Sequence, residues 1–313
     1  YIIDQLKNNG YLERDADDFD RLHAMDPELL LKFLKATQPK EFASLKKMYG
    51  DDLPDFIVNS VNKAATDKNG SMLDLLKHGI DIANHHLTLF YNKPATDFNP
   101  DLIKKYQNNI FSVMQEVWAT DDERVDLVLF INGIAVISFE LKSNTQHQDY
   151  RDAIMQYRKD RDPKARLFLF KAGCLVNFAM DLNEVYMTTK LEGNKTYFMP
   201  FNQGKGSGVD SGAGNPVSKN GEFSVSYMWN DILTKDTLTE LIEKFIFIET
   251  KKKTDELTHK IKTVQRLIFP RYHQLDAIRK ILADLKINHT SQNYLIEHSA
   301  GSGKTNTIAW LAS

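Results

Sequence analysis

Hydrophobic and polar positions follow two alternating periods along this chain. Ile2, Ile3 and Leu6 recur at helical spacing, and Asn8-Asn9-Gly10 closes that first helix. Residues 27–49 carry Leu30, Phe33, Leu34 and Phe42 on one side and predict a helix. Ser71 to His78 predicts another, stopped by Gly79, and Leu87 to Tyr91 predicts a strand. Asn99-Pro100 predicts a cap and first-turn proline for a helix ending near Asn109. The densest strand pattern is residues 124–142, RVDLVLFINGIAVISFELK, where two apolar runs flank Asn132-Gly133 as in a hairpin. Residues 149–160 return to helical spacing, with Tyr150, Ile154 and Tyr157 on one side. Short strands are then predicted at Arg166–Phe170, Leu175–Ala179 and Val185–Thr189.

That order predicts an α/β fold, a mixed sheet flanked by helices. Residues 203–221 hold six of the chain's 15 glycines and predict a long surface loop. Leu238–Phe247 predicts a helix, and the charged stretch 250–262 a linker or solvated helix. Residues 1–248 are therefore read as one domain, and 249–313 as a linker and the beginning of a second.

Charge and composition narrow the function. Forty basic and 42 acidic residues leave a net charge of −2, which excludes a globally basic nucleic-acid wrapper but not a local basic groove. The single cysteine, Cys174, excludes an internal disulfide and a cysteine-rich zinc module. No apolar run approaches the ~18 residues that span a bilayer, and residues 1–10 lack the apolar core of a signal peptide. The expectation is a cytoplasmic protein with no membrane contact. The chain opens with no methionine and no helix cap, so further sequence is expected upstream.

Three charged residues interrupt the hairpin strands: Asp126, Glu140 and Lys142. Burying such charges costs several kcal/mol unless something compensates them. A two-residue turn at Asn132-Gly133 would set Asp126 opposite Phe139 and send Glu140 to the other face. A three-residue loop, Ile131-Asn132-Gly133 with Gly133 left-handed, sets Asp126 opposite Ser138 with Glu140 diagonal to it and Lys142 on the same face. The other face is then wholly apolar, which favours the three-residue loop. Two carboxylates and a backbone carbonyl are hard oxygen ligands for Mg²⁺. Such an ion polarises a phosphodiester and acidifies a bound water, and an ammonium beside it stabilises the developing charge. The bland alternative is a Glu140–Lys142 ion pair at a strand edge.

A second constellation lies near the C-terminal end. Tyr294–Glu297 predicts a strand and Asn306–Ala312 a helix, and Gly301, Ser302, Gly303, Lys304 and Thr305 lie between them. In G-x-x-x-x-G-K-[ST] the first glycine is replaced by His298. The loop's backbone N–H groups and the helix N-terminus favour the phosphates of ATP, with Lys304 on the terminal phosphates and the Thr305 hydroxyl on Mg²⁺. Phe269-Pro270-Arg271-Tyr272-His273-Gln274 resembles the glutamine motif of superfamily 2 helicases, which implies that Gln274 contacts adenine. A helix-start polar residue is the plain alternative. The chain ends before any second motor lobe, so alone it is not expected to hydrolyse ATP efficiently.

The pair of constellations resembles two known patterns. Asp126 followed by Glu140-Leu141-Lys142 is similar to the PD-(D/E)xK nucleases, with Val125 in place of the proline. Gln156 stands where related restriction nucleases carry Gln-x-x-x-Tyr, but here the later position is Asp160. The whole chain resembles the N-terminal part of the R (motor and endonuclease) subunit of type I restriction enzymes. Met25-Asp26-Pro27-Glu28, Asp160-Arg161-Asp162-Pro163, Phe198-Met199-Pro200-Phe201-Asn202 and Gly212-Ala213-Gly214-Asn215-Pro216 add to that resemblance. It implies a PD-(D/E)xK domain followed by the first elements of a RecA-like ATPase. The implied activity is Mg²⁺-dependent, sequence-nonspecific cleavage of double-stranded DNA, coupled to ATP-driven translocation in a complex with methylation and specificity subunits. The implied catalytic residues are Asp126, Glu140, Lys142 and Gln156, with Asp126 and Glu140 as metal ligands. An acidic residue on the first helix, which the fold often uses, would fall before Tyr1. The alternatives are a degenerate nuclease fold that only grips DNA or docks subunits, and a helicase with an unrelated N-terminal domain.

Overall fold

The computed structural model describes residues 1–143, 147–206, 212–218, 221–254, 261–288, 293–298 and 301–312. The first ninety residues form five helices, one strand of the main sheet and a separate two-stranded pair: α1 (Ile2–Asn8), β1 (Leu12–Arg14) in the main sheet, α2 (Pro27–Thr37), α3 (Pro39–Tyr49), α4 (Leu53–Thr66), α5 (Met72–His78), and the pair β2 (Ile80–Ile82) with β3 (His85–Leu87). The helix expected over 27–49 is broken in two. Pro39 has no N–H to continue the ladder, and Gln38 instead exchanges side-chain hydrogen bonds with the backbone of Thr88. The strand expected at 87–91 is confined to β3, and Leu89 and Phe90 are buried without a ladder.

Next come α6 (Pro100–Gln107), β4 (Phe111–Trp118), β5 (Arg124–Ile131), β6 (Ile134–Leu141), α7 (Tyr150–Lys159), β7 (Val176–Met180), β8 (Val185–Thr188) and β9 (Met199–Pro200). The sheet order is β1-β4-β5-β6-β7-β8-β9, with β1–β4 and β6–β7 parallel and the remaining pairs antiparallel. It is the mixed, helix-flanked sheet that the sequence pattern predicts. One face carries Leu127, Leu129, Phe139 and Phe178 against Leu30, Phe33 and Val61. The other carries Val128, Phe130 and Ala179 against Ala153 and Tyr157 of α7. The segment 166–170 forms turns rather than a strand. Leu167 and Phe168 are buried there, and the Cys174 N–H closes the turns on the Leu167 carbonyl. A short apolar run cannot by itself distinguish these outcomes.

The C-terminal quarter holds α8 (Lys235–Glu240), which passes into a π-helical turn over Leu241–Phe245, then β10 (Phe247–Thr254), β11 (Ile261–Ile268), α9 (Tyr272–Asn288) and α10 (Lys304–Ala312). β10 and β11 pair antiparallel from Phe247↔Ile268 to Thr254↔Ile261, so residues 250–254 and 261–262 of the charged stretch are strand, not linker or helix, while residues 255–260 lie outside the described residues. The apolar end of the strand pair decides this: Leu267 and Phe269 are buried and anchor the strand. The strand expected at 294–297 does not form among the described residues.

Candidate active site

The hairpin turn differs from the favoured reading. Asn132 (φ 51°) and Gly133 (φ 78°) are both left-handed, and Ile131 pairs with Ile134, giving a two-residue turn whose twist suits the strands. A Cβ on Gly133 would lie 2.2 Å from the Asp26 carbonyl oxygen, and the buried Asn132 side chain bonds Ile110, Leu89 and Asn109. Two residues along, the register slips: Phe130 pairs with Ala135 but Leu129 with Ile137, leaving Val136 as a bulge. The slip restores the side-chain parity that a two-residue turn alone would have reversed. The last pairs are Val128↔Ser138 and Leu127↔Phe139, a register that, carried one step on, sets Asp126 opposite Glu140. The diagonal arrangement expected for them is thus replaced by a direct one, on the α7 face.

Asp126 and Lys142 line one cleft of about 610 Å³. Its walls are the ends of β5 and β6, Tyr1–Ile3 of the first helix, Asp181, and Phe223 with Trp229. The Oδ2 atom of Asp126 accepts the Leu141 N–H at 2.7 Å, and the Lys142 N–H bonds the Met180 carbonyl at 2.9 Å. The first backbone position is therefore held by the Asp126 side chain and the second by the neighbouring strand β7. Glu116 also lines the cleft, with a left-handed backbone (φ 55°), and pairs with Arg124 at 2.5 Å.

Glu140 stands behind that cleft rather than in its lining. It is 0% exposed. Its Oε1 accepts Nε of Arg161 at 2.7 Å, while its Oε2 is buried with no hydrogen-bond partner. Burial pushes its carboxyl up to about 8, against the opposing pull of Arg161, with Asp126 adding to the rise and Lys142 drawing it down. Gln156 sits on α7 with its Oε1 buried and unpartnered, and it does not line the cleft. Tyr157, on the same helix, donates or accepts a hydrogen bond at 2.8 Å with Ser138 beneath.

The sequence reading passed over Arg161 and Glu116 as site residues. Arg161 had a signal: a buried carboxylate demands a counter-charge, and an arginine follows closely on the helix after Glu140-Leu141-Lys142.

A divalent ion can be tested against these donors. Glu140 offers a buried oxygen without a partner, and Asp126 presents its carboxylate at the cleft across the ladder. Hard oxygen donors and an orphaned carboxylate oxygen fit Mg²⁺. Among the described residues no group of three or more His, Cys, Asp or Glu side chains is placed to hold a metal by itself, so water and substrate oxygens would complete the shell.

The C-terminal motif residues also meet. Gln274 is buried; its Nε2 donates to the Gly303 carbonyl at 2.9 Å and its Oε1 accepts the Arg271 N–H at 2.9 Å. Gly301 (φ 73°) and Gly303 (φ 85°) are left-handed, and a Cβ on Gly303 would lie 2.6 Å from Gln274 Nε2. Lys304 donates to the His298 carbonyl at 2.8 Å, and Thr305 is exposed at the start of α10. Residues 299 and 300 of the loop lie outside the described residues. A cavity of about 600 Å³ opens beside Arg271, Gln274, Ser302 and Gly303.

The family profile described as Type I restriction enzyme R protein N terminus (HSDR_N) matches residues 1–196. The chain belongs to this family. Asp126, Glu140, Lys142, Gln156 and Arg161 all fall inside the matched span, while Gln274 and the phosphate loop fall outside it. Two proteins of Methanocaldococcus jannaschii are similar. The putative type I restriction enzyme MjaVIIP endonuclease subunit is 28% identical over 255 residues, covering 77% of this chain and 21% of the relative. The putative type I restriction enzyme MjaIXP endonuclease subunit is 22% identical over 345 residues, covering 99% of this chain and 30% of the relative. The chain thus spans under a third of the length of these relatives. None of the helices among the described residues is long and apolar enough to cross a membrane.

Proposed function

We propose that this chain is the endonuclease part of a type I restriction R subunit, hydrolysing DNA phosphodiesters without reading sequence. One observation carries the proposal: Asp126 and Lys142 open into one cleft, with Glu140 across the strand pair from Asp126 in the register of Leu127↔Phe139 and its Oε2 unpartnered. Asp126 and Glu140 would hold Mg²⁺, which when bound supplies Lewis-acid polarisation of the phosphate and acidifies water. Lys142 orients the attacking water and stabilises charge gathering on the phosphate oxygens. The backbone bonds at Leu141 and Lys142 keep these side chains from drifting during the reaction. Gln156 supports the site or the DNA from α7.

In this reading residues 1–248 form the nuclease domain and 249–313 begin a RecA-like motor. Gly301, Ser302, Gly303, Lys304 and Thr305 would take the phosphates of ATP, and Gln274 the adenine. The substrate is double-stranded DNA, the setting cytoplasmic, and the partners methylation and specificity subunits, which read the sequence. Cleavage would be coupled to ATP-driven translocation.

The test is plasmid cleavage by the reconstituted complex with ATP. Glu140→Ala and Lys142→Ala are expected to abolish cleavage while ATPase activity stays; variants that cut like the parent would overturn the assignment. A second reading has its own observation: Glu140 is turned from the cleft and held by Arg161, as in a nuclease fold kept only for gripping DNA or docking subunits. A parent complex that translocates but never cleaves would favour it.

A further inference from the structure

The geometry points to Arg161 as the positioning residue of Glu140, fixing that carboxylate with one oxygen bound and the other reserved for a divalent cation. The inference rests on the metal-binding role proposed for Glu140. Arg161 is 6% exposed and lies two residues beyond α7. Its three nitrogens have three different acceptors. Nε donates to Glu140 Oε1 at 2.7 Å, Nη2 to the Arg124 carbonyl at 2.8 Å, and Nη1 to the Asp160 carbonyl at 3.1 Å.

An arginine that serves only to neutralise a buried carboxylate commonly grips both of its oxygens through a two-pronged fork. Here the guanidinium spends its remaining donors on backbone carbonyls, and Glu140 Oε2 is left buried and unpartnered. Arg124 opens β5 two residues before Asp126, and the β5–β6 ladder makes its last pair at Leu127↔Phe139. Where the ladder stops, the rigid planar group ties the backbone leading to Asp126 to the side chain of Glu140. It thereby sets the spacing of the two carboxylates.

Lysine keeps the charge but has neither the planar fork nor the reach to three acceptors. Mn²⁺ titrated calorimetrically into the full chain is the readout, with Glu140→Ala as the reference for binding at this site. Arg161→Lys and Arg161→Met are each expected to weaken the Glu140-dependent Mn²⁺ site by about tenfold or more. Parent-like binding in Arg161→Lys would overturn the positioning role, leaving only charge. Tighter binding in Arg161→Met would also overturn it, since a cation that merely plugs the site repels the metal. A parent that binds Mn²⁺ no better than Glu140→Ala would overturn the metal reading and this inference with it.

The unmutated protein gives a second arm that needs no variant to fold. In a crystal grown with Mn²⁺, Arg161 Nε is expected to stay on Glu140 Oε1 while Oε2 faces the ion. An Arg161 swung away from Glu140 would overturn the inference.

Discussion

Asp126 and Leu141 are joined by a 2.7 Å hydrogen bond in which the carboxylate accepts the backbone N–H of the residue just after Glu140. A side chain assigned to chemistry is thus also an anchor between β5 and β6. The two roles separate by substitution. Asp126→Asn keeps an oxygen acceptor for the Leu141 N–H but removes the negative charge. Asp126→Ala removes both and leaves a donor unsatisfied, at a cost of about 1–3 kcal/mol. Urea unfolding should therefore show Asp126→Asn within about 0.5 kcal/mol of the parent and Asp126→Ala clearly below it. Neither should support plasmid cleavage in the full complex.

The turn that sets this register is sterically closed to any other residue at Gly133. Its φ of 78° disfavours a side chain, and a Cβ would lie 2.2 Å from the Asp26 carbonyl oxygen. The Asp26 N–H also donates to the Gly133 carbonyl at 2.7 Å, so the turn is pinned to the start of α2. Gly133→Ala should lower the unfolding free energy by at least about 2 kcal/mol, combining the left-handed penalty with a backbone clash. An equilibrium denaturation midpoint equal to the parent's would show that α2 yields freely to the hairpin.

Glu140 gives a pH dependence whose sign follows from its burial. Its carboxyl is raised to about 8 in the folded chain, above the ordinary carboxylate range of the unfolded one. The folded state therefore holds its proton more tightly. Stability is fully present below pH ~4.5 and is lost progressively as pH rises through about 8. Glu140→Gln cannot ionise and escapes that loss. Its melting temperature relative to the parent should rise between about pH 5 and pH 8 and level off above that. A difference that is flat with pH would show that Arg161 compensates the charge in full.

How far the sequence reveals this arrangement depends on the range of the interaction. Asn132-Gly133 announces a hairpin because left-handed turns accept few residue types, and Asp126 with Glu140-Leu141-Lys142 stands out because charges rarely interrupt apolar strands. The bulge at Val136 leaves no mark. Every residue around it is apolar, so the pattern admits both a longer loop and a short turn with a slip. Face assignment survives because the two routes share parity, but the pairing partner of Asp126 does not. Arg161 leaves only an indirect signal, the counter-charge a buried carboxylate demands, and its bond to the Arg124 carbonyl leaves none. Pro39 and the run at 166–170 show the local limits, where helix or strand spacing continues but the backbone does not.

At the other end of the chain, two motifs 29 residues apart meet: Gln274 Nε2 donates to the Gly303 carbonyl, and beside it His273 Nε2 lies 3.2 Å from the Ser302 carbonyl. The Gly303 carbonyl also accepts the Asn306 N–H at 3.0 Å and the Thr307 N–H at 3.3 Å in the first turn of α10. The Gln274 side chain accepts the Arg271 N–H in turn, so its amide ties the start of α9 to the loop before α10 on both sides. Removing it leaves the Gly303 carbonyl one donor short and the Arg271 N–H without its partner. A hydrogen bond of this kind contributes about 1 kcal/mol, which corresponds to roughly fivefold in a local opening equilibrium. Gln274→Ala should therefore speed amide exchange of Asn306 and Thr307 by about that factor, with exchange in β5 and β6 unchanged. Equal acceleration across the sheet would mean that the brace supports the whole chain, and no change would mean that α10 holds its first turn without it.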